Sequence, residues 1–114
     1  MEHRFYSRPP VTLPVVIYHW GIPVDTGRTR DLSIEGAQIE GVGVAFSPNT
    51  PLTLELRLDV GGRRKTYVAA VVRYQHGDRI GLLFSEPTRE QTEAIRQAIQ
   101  DTPPAGRANR TAGA

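Results

Sequence analysis

From residue 11 the chain alternates: Val11, Leu13, Val15 and Ile17 take every second position, with Thr12, Pro14, Val16 and Tyr18 between them. A period of two marks a strand with one face on a core, and Pro14 within it predicts an edge or a bulge. Gly21-Ile22-Pro23 predicts a turn, a second strand runs from about Val24 to Ser33, and a short third strand follows from Gly36 through Ala37 and Ile39. The stretch Gly41 to Pro51, ending in Pro48-Asn49-Thr50-Pro51, predicts a loop. The clearest strand comes next, where Leu52, Leu54, Leu56 and Leu58 alternate with Thr53, Glu55, Arg57 and Asp59. Gly61-Gly62 supplies a hairpin turn. A last hairpin joins Thr66–Gln75 to Arg79–Ser85 across His76-Gly77-Asp78.

The period then changes. Ala94, Ile95, Ala98 and Ile99 form one apolar stripe at helical spacing, and Thr88 with Gln91 three residues later is a capping box. Many short strands followed by one amphipathic helix predict a mainly β protein: a small six-stranded antiparallel β-barrel with a C-terminal helix covering its mouth or flank. Residues 1–10 read as a mobile basic arm, extended before Pro9-Pro10. Residues 11–100 are the barrel and helix, and 101–114, rich in Pro, Gly, Ala, Arg and Thr, read as a disordered tail. A chain of 114 residues has room for one such domain. Its starting methionine and its tail favour a single-domain protein.

Composition narrows the chemistry. Cysteine is absent, which removes disulfides and thiolate chemistry and suits a reducing, cytoplasmic setting. No apolar run is long enough to span a bilayer, and Met1-Glu2-His3-Arg4 leads into no signal-peptide core, so no membrane insertion is expected. A net charge of +2 is too small for a protein that coats long nucleic acid. Yet 13 of the 14 basic residues are arginine, whose planar fork suits phosphate and guanine edges.

Two short motifs stand out. Arg4 and Arg8 lie four apart just before the first strand, and Asp31-Leu32-Ser33-Ile34-Glu35-Gly36 links the second strand to the third. Strand periodicity predicts that Asp31 and Ser33 point one way while Leu32 and Ile34 point into the core. Gly36 would permit a sharp turn or a close approach of a ligand ring to the backbone. Arginine forks can reach phosphate oxygens and the O6/N7 edge of guanine, and a carboxylate or hydroxyl can accept from guanine N–H groups.

This arrangement resembles the PilZ family, whose signature is an Arg-x-x-x-Arg arm followed further along by Asp/Asn-x-Ser-x-x-Gly. Both halves match, at Arg4 and Arg8 and at Asp31, Ser33 and Gly36. The resemblance covers roughly residues 1 to 100. It implies a non-catalytic receptor for cyclic di-GMP in second-messenger signalling, with Arg4 and Arg8 wrapping over the ligand, Asp31, Ser33 and Gly36 as its floor, and an effector protein as partner in motility or biofilm control. Three or four charge-assisted bonds at about 1.5–3 kcal/mol each would reach micromolar affinity, about 8 kcal/mol, after the arm is ordered. His3 stands where family members often carry arginine and is expected to modulate stacking, which leaves one ligand or an intercalated pair both open. Arg73, mid-strand between Val72 and Tyr74, is a further candidate for the ligand face and equally an ordinary exposed strand residue.

Other classes are less well served. The three histidines show no metal-binding spacing, and no Ser, His and acid set argues for nucleophilic catalysis, so no enzyme is expected. Gly41-Val42-Gly43 lacks the third glycine of a dinucleotide loop. Trp20 reads as core or barrel-rim packing. A single-stranded nucleic-acid binder would need more aromatic platforms than Tyr18, Trp20, Tyr67 and Tyr74. The competing function is a ligand-independent PilZ-like interaction module in pilus assembly or motility.

Overall fold

The computed structural model describes residues 10–59 and 63–101; the Gly61-Gly62 turn, the arm at 1–9 and the tail at 102–114 lie outside the described residues. The elements are β1 (Pro14–His19), β2 (Ile22–Leu32), β3 (Gly36–Glu40), β4 (Pro51–Arg57), β5 (Lys65–His76), β6 (Arg79–Phe84) and α1 (Arg89–Asp101). The six strands close into a barrel in the order β1-β2-β3-β6-β5-β4, with every neighbouring pair antiparallel. The expected fold is therefore present.

Alternation explains the core. Val15 and Ile17 of β1, Leu52, Leu54 and Leu56 of β4, Val68, Ala70 and Val72 of β5, and Ile80 and Leu82 of β6 all point inward and are buried. Ile95 of α1 joins the same cluster and Ile99 packs against it, so the predicted helical stripe is the face the helix buries. The capping box forms in both directions: the Thr88 amide donates to Gln91 Oε1 at 2.9 Å and the Gln91 amide to Thr88 Oγ at 3.0 Å. Gln91 Nε2 also donates to the Tyr67 carbonyl at 2.6 Å, which ties the helix start to β5. Truncating one large core residue such as Ile17 or Leu54 to alanine costs about 2–5 kcal/mol, a large share of a small domain's stability.

Four expectations change. Pro14 lies on no edge, because β1 bonds to a neighbour on each side; it is tolerated as the first residue of the strand, paired with Arg28 before the β4 ladder begins at Val15. The first turn is Trp20-Gly21, both with positive φ (57° and 76°), and Ile22 and Pro23 already belong to β2. Trp20 accordingly leaves the core and is 81% exposed at the hairpin tip, its ring stacked on His19 at 5.6 Å. Ile34 is 40% exposed rather than buried, because β2 ends at Leu32 and the strand period ends with it.

The outer wall of β4 carries an enclosed carboxylate. Glu55 points away from the core yet is only 2% exposed. Tyr18 Oη donates to its Oε1 at 2.8 Å, Arg57 Nε donates to Oε2 at 3.0 Å, and Lys65 Nζ stands 3.9 Å from Oε2. Burial pushes this carboxyl up, but the Tyr18 hydroxyl, the Lys65 ammonium and the Arg57 guanidinium together outweigh burial and hold it below its ordinary 4.5. The same bond raises Tyr18 above its ordinary 10.0. A depressed carboxyl means that the folded chain binds fewer protons than the unfolded one, so its stabilising contribution is present above pH 4.5 and is lost as pH falls through the folded value. Urea unfolding of wild type and Glu55→Gln from pH 7 to pH 3 is expected to show a shallower loss of stability on the acid side in the variant.

Candidate functional site

Antiparallel closure gathers the start of β1, the end of β2, the start of β3 and the end of β6 at one end of the barrel. The chain reaches that end from Pro10. Val11 is buried, and its carbonyl accepts from the Thr29 hydroxyl. The same hydroxyl accepts from the Leu13 amide at 2.8 Å, and the Thr29 amide donates to the Leu13 carbonyl at 2.9 Å. Buried Thr29 thus anchors the segment that leads to the arm, two residues before Asp31 on the same strand.

The register of β2 against β3 shifts between Thr29 and Asp31, which makes Arg30 the extra residue of a bulge. Past the bulge, Asp31 pairs with Gln38 on the outer wall and is half-buried, while Leu32 pairs with Ala37 inside. The bulged Arg30 lies 3.8 Å from Glu40 in an exposed ion pair. The chain then turns. Ser33 donates through its amide to the Gly36 carbonyl at 2.9 Å, and its hydroxyl accepts from the amides of Glu35 (3.1 Å) and Gly36 (3.3 Å).

Strand alternation predicts that Ser33 shares the face of Asp31, and the structure overturns this. Ser33 is 5% exposed, and its hydroxyl is engaged within the turn it stabilises, as serine commonly does in place of a backbone partner. Gly36 also has a structural reason that spacing did not reveal. A Cβ at that position would lie 2.2 Å from the Leu82 carbonyl oxygen, so the close approach that glycine permits here is that of the neighbouring strand β6. Phe84 completes the junction by donating its amide to the Glu35 carbonyl at 2.8 Å.

Beyond Asp31 the outer wall continues as one row across four strands. Asp31 pairs with Gln38, Gln38 with Gly81, and Gly81 with Tyr74. Gln38 Nε2 donates to Tyr74 Oη at 2.6 Å, directly over Gly81. A Cβ on Gly81 would come within 2.3 Å of the tyrosine ring, so this glycine lets the ring lie flat against the sheet. A second bulge, between Val72 and Tyr74, leaves Arg73 exposed beside the row. Three strand spacings separate Asp31 from the β5 end of the row, roughly 14 Å. Arg73 is thus too far for contact with Asp31, and only a ligand lying along the row would meet both.

Arg4, Arg8 and His3 lie outside the described residues. Of the remaining candidates, Asp31, Ser33 and Gly36 are brought together, and Arg73 stands apart at the far end. Thr29, Gln38, Gly81 and Tyr74 were missed by sequence reasoning. The signal available for Gly81 was an isolated glycine between Ile80 and Leu82, which in a strand marks a close approach; Thr29 and Gln38 carried none. Among the described residues no group of three His, Cys, Asp or Glu is placed to hold a metal ion, and no helix is long and apolar enough to cross a membrane.

A closed six-stranded barrel with a terminal helix and a serine-stapled turn at its rim defines a class of small β-barrel domain. A family profile described as "PilZ domain" matches residues 2–101, and the chain belongs to that family. Two solved structures share the fold. One is the PilZ domain of CeSA from a cellulose-synthesizing bacterium, 24% identical, with a TM-score of 0.67 over 82% of this chain and 94% of that one. The other is the Bacillus subtilis inhibitor of motility MotI/DgrA, 22% identical, with a TM-score of 0.68 over 90% of this chain. The match spans about half of the MotI/DgrA chain, 54%. A search of curated protein sequences gives no match.

The geometry at Gly36 yields a prediction independent of any ligand. Gly36→Ala forces the β6 backbone to move and should destabilise the domain by about 1–3 kcal/mol in urea unfolding. Gly81→Ala, which displaces only a tyrosine ring able to swing away, should cost less in the same measurement.

Proposed function

We propose that this chain is a non-catalytic receptor for cyclic di-GMP, in which Arg4 and Arg8 close over a ligand resting on Asp31 and the 33–36 turn. The observation that supports this most is the route of the chain. Thr29 anchors Val11 and Leu13, so the segment carrying both arginines departs from the strand that presents Asp31. A bis-guanine dianion needs guanidinium groups for its phosphates and carboxylate or backbone acceptors for its guanine N–H groups. Both kinds of group then converge on one rim.

Tyr74 and Gln38 extend the floor along the wall. A tyrosine held flat by Gly81 and Gln38 offers a ring edge and a hydroxyl to a base, and Arg73 beyond it would meet a second base or phosphate. In this reading His3 contributes to stacking above the ligand. The signal is the ordering of the arm: a ligand that binds the closed arm better than the open one shifts the population by that difference, and the closed arm is the new surface offered to an effector protein. The family supplies adaptors of this kind. The structural likeness to a protein named as an inhibitor of motility favours motility as the controlled process.

Calorimetric titration of cyclic di-GMP into wild type, Arg8→Ala and Asp31→Ala, with GMP as control, tests the receptor reading. Micromolar or tighter binding that falls about tenfold or more in each variant, a loss of about 1.4 kcal/mol, is the expected result. Wild-type protein that takes up no ligand would instead favour the ligand-independent interaction module. The closing arm has its own readout: cyclic di-GMP should slow tryptic cleavage after Arg4, the arginine of the pair that no proline follows. Binding without that protection would leave a receptor but remove the mechanism.

A further inference from the structure

A second concave site opens on the outer wall away from the Asp31 row, at the same end of the barrel. It is a cleft of about 570 Å³ between the start of β5 and the first turns of α1. Arg63, Arg64 and Lys65 line one side and Gln91 and Ala94 the other, with Tyr67 and Leu58 also in the lining. Tyr67 is 43% exposed, and Leu58 packs its inner side on the core.

The charge in this cleft is lopsided. Three cations face a single lining anion, Glu90, and Lys65 also sits 3.9 Å from Glu55. Arg63 and Arg64 are exposed, and neither guanidinium is in an ion pair among the described residues. Their backbone amides, however, both donate to Asp59 Oδ1, at 2.9 and 3.2 Å, so the chain that carries them is held in place. On the helix side the capping box and the Gln91–Tyr67 bond fix the wall. The result is a preformed cleft with a basic rim and an apolar floor of Leu58, Tyr67 and Ala94.

We infer that this cleft docks an acidic peptide segment of a partner protein, with carboxylates on Arg63 and Arg64 and an apolar side chain against Tyr67 and Ala94. Charge selects this occupant over the chain's own ends. Residues 102–114 hold Arg107 and Arg110 and no acid, and residues 1–9 hold His3, Arg4 and Arg8 against Glu2. Both would be repelled. The apolar floor distinguishes a peptide from a free anion, since phosphate gains nothing from leucine or alanine. The cleft shares no lining residue with Asp31, Ser33 or Gly36, so it deepens the receptor reading by giving the effector a surface, yet it would serve an interaction module without nucleotide equally well.

The test is a fluorescence-anisotropy titration of the full chain with a labelled peptide of mixed glutamate and leucine, alongside an all-glutamate peptide of equal length and oligothymidylate. Expected is saturable binding of the mixed peptide, weakened about tenfold by Arg63→Glu with Arg64→Glu and also by Ala94→Glu, which puts a carboxylate on the floor. Both variants should keep wild-type cyclic di-GMP binding, and Asp31→Ala should keep wild-type peptide binding, so failure of the receptor reading and failure of this one are separable. Absence of peptide binding, or binding unchanged in the arginine variant, overturns the inference. Equal affinity for the all-glutamate peptide or for oligothymidylate overturns it too, by showing a general polyanion surface. A change of oligomeric state in the arginine variant by sedimentation would overturn it in favour of an interface between copies of this chain.

Discussion

Closure of the barrel by β1 is the constraint on which the other features rest. This strand of six residues bonds to β2 on one side and β4 on the other, so the sheet has no free edge along it. Val15 and Ile17 supply its inner face and are almost wholly buried. With β1 in place the chain before it must run along β2, where Thr29 captures Val11 and Leu13. The course of residues 11–13 along Thr29, two residues before Asp31, thus follows from how the ring is shut.

The 33–36 turn shows how one set of residues meets two demands. Ser33 satisfies amides that the turn would otherwise leave without partners inside the protein, and Gly36 makes room for the β6 carbonyl. Buried amides without acceptors would cost about 1–3 kcal/mol each, so these residue types are required for folding before any ligand is considered. Asp31 stands half-buried on the outer wall, paired with Gln38. A binding surface built on such a turn is rigid because its geometry is already fixed by the fold.

Polar groups are distributed by end and by wall. The end at which β1 begins holds the serine turn, the start of α1 and the basic cleft, while Trp20 and the Asp25-anchored loop lie at the opposite end. Asp25 accepts from the amides of Thr26, Gly43 and Val44; burial raises its carboxyl, but those three bonds outweigh burial and leave it below its usual 3.8. On the wall of β1, β4 and β5, Glu55 is enclosed by Tyr18, Arg57 and Lys65. That wall is therefore braced by charge, whereas the Asp31 row is braced by the Gln38–Tyr74 bond.

Much of the fold was legible in the sequence because burial on one face imposes its period directly. Alternating leucines from 52 to 56, the stripe at 94–99 and the Thr88–Gln91 pair each report a local rule, and each is found as predicted. The motif residues Asp31, Ser33 and Gly36 were legible as a pattern, through family resemblance. What they do was not: alternation placed Ser33 outward and Ile34 inward, and it failed because hydrogen bonds to amides two and three residues ahead turn the chain at Ser33. Trp20 was misplaced for a related reason, since a two-residue turn with positive φ at both positions lifts its ring from the rim. The row of Asp31, Gln38, Gly81 and Tyr74 and the cleft between β5 and α1 join residues far apart in the chain. Their proximity depends on strand register and on two bulges. The sequence by itself thus determined the elements, their buried faces and the motif; the tertiary structure alone decided which side chains meet, because one-residue shifts in register move a side chain to another face or another partner.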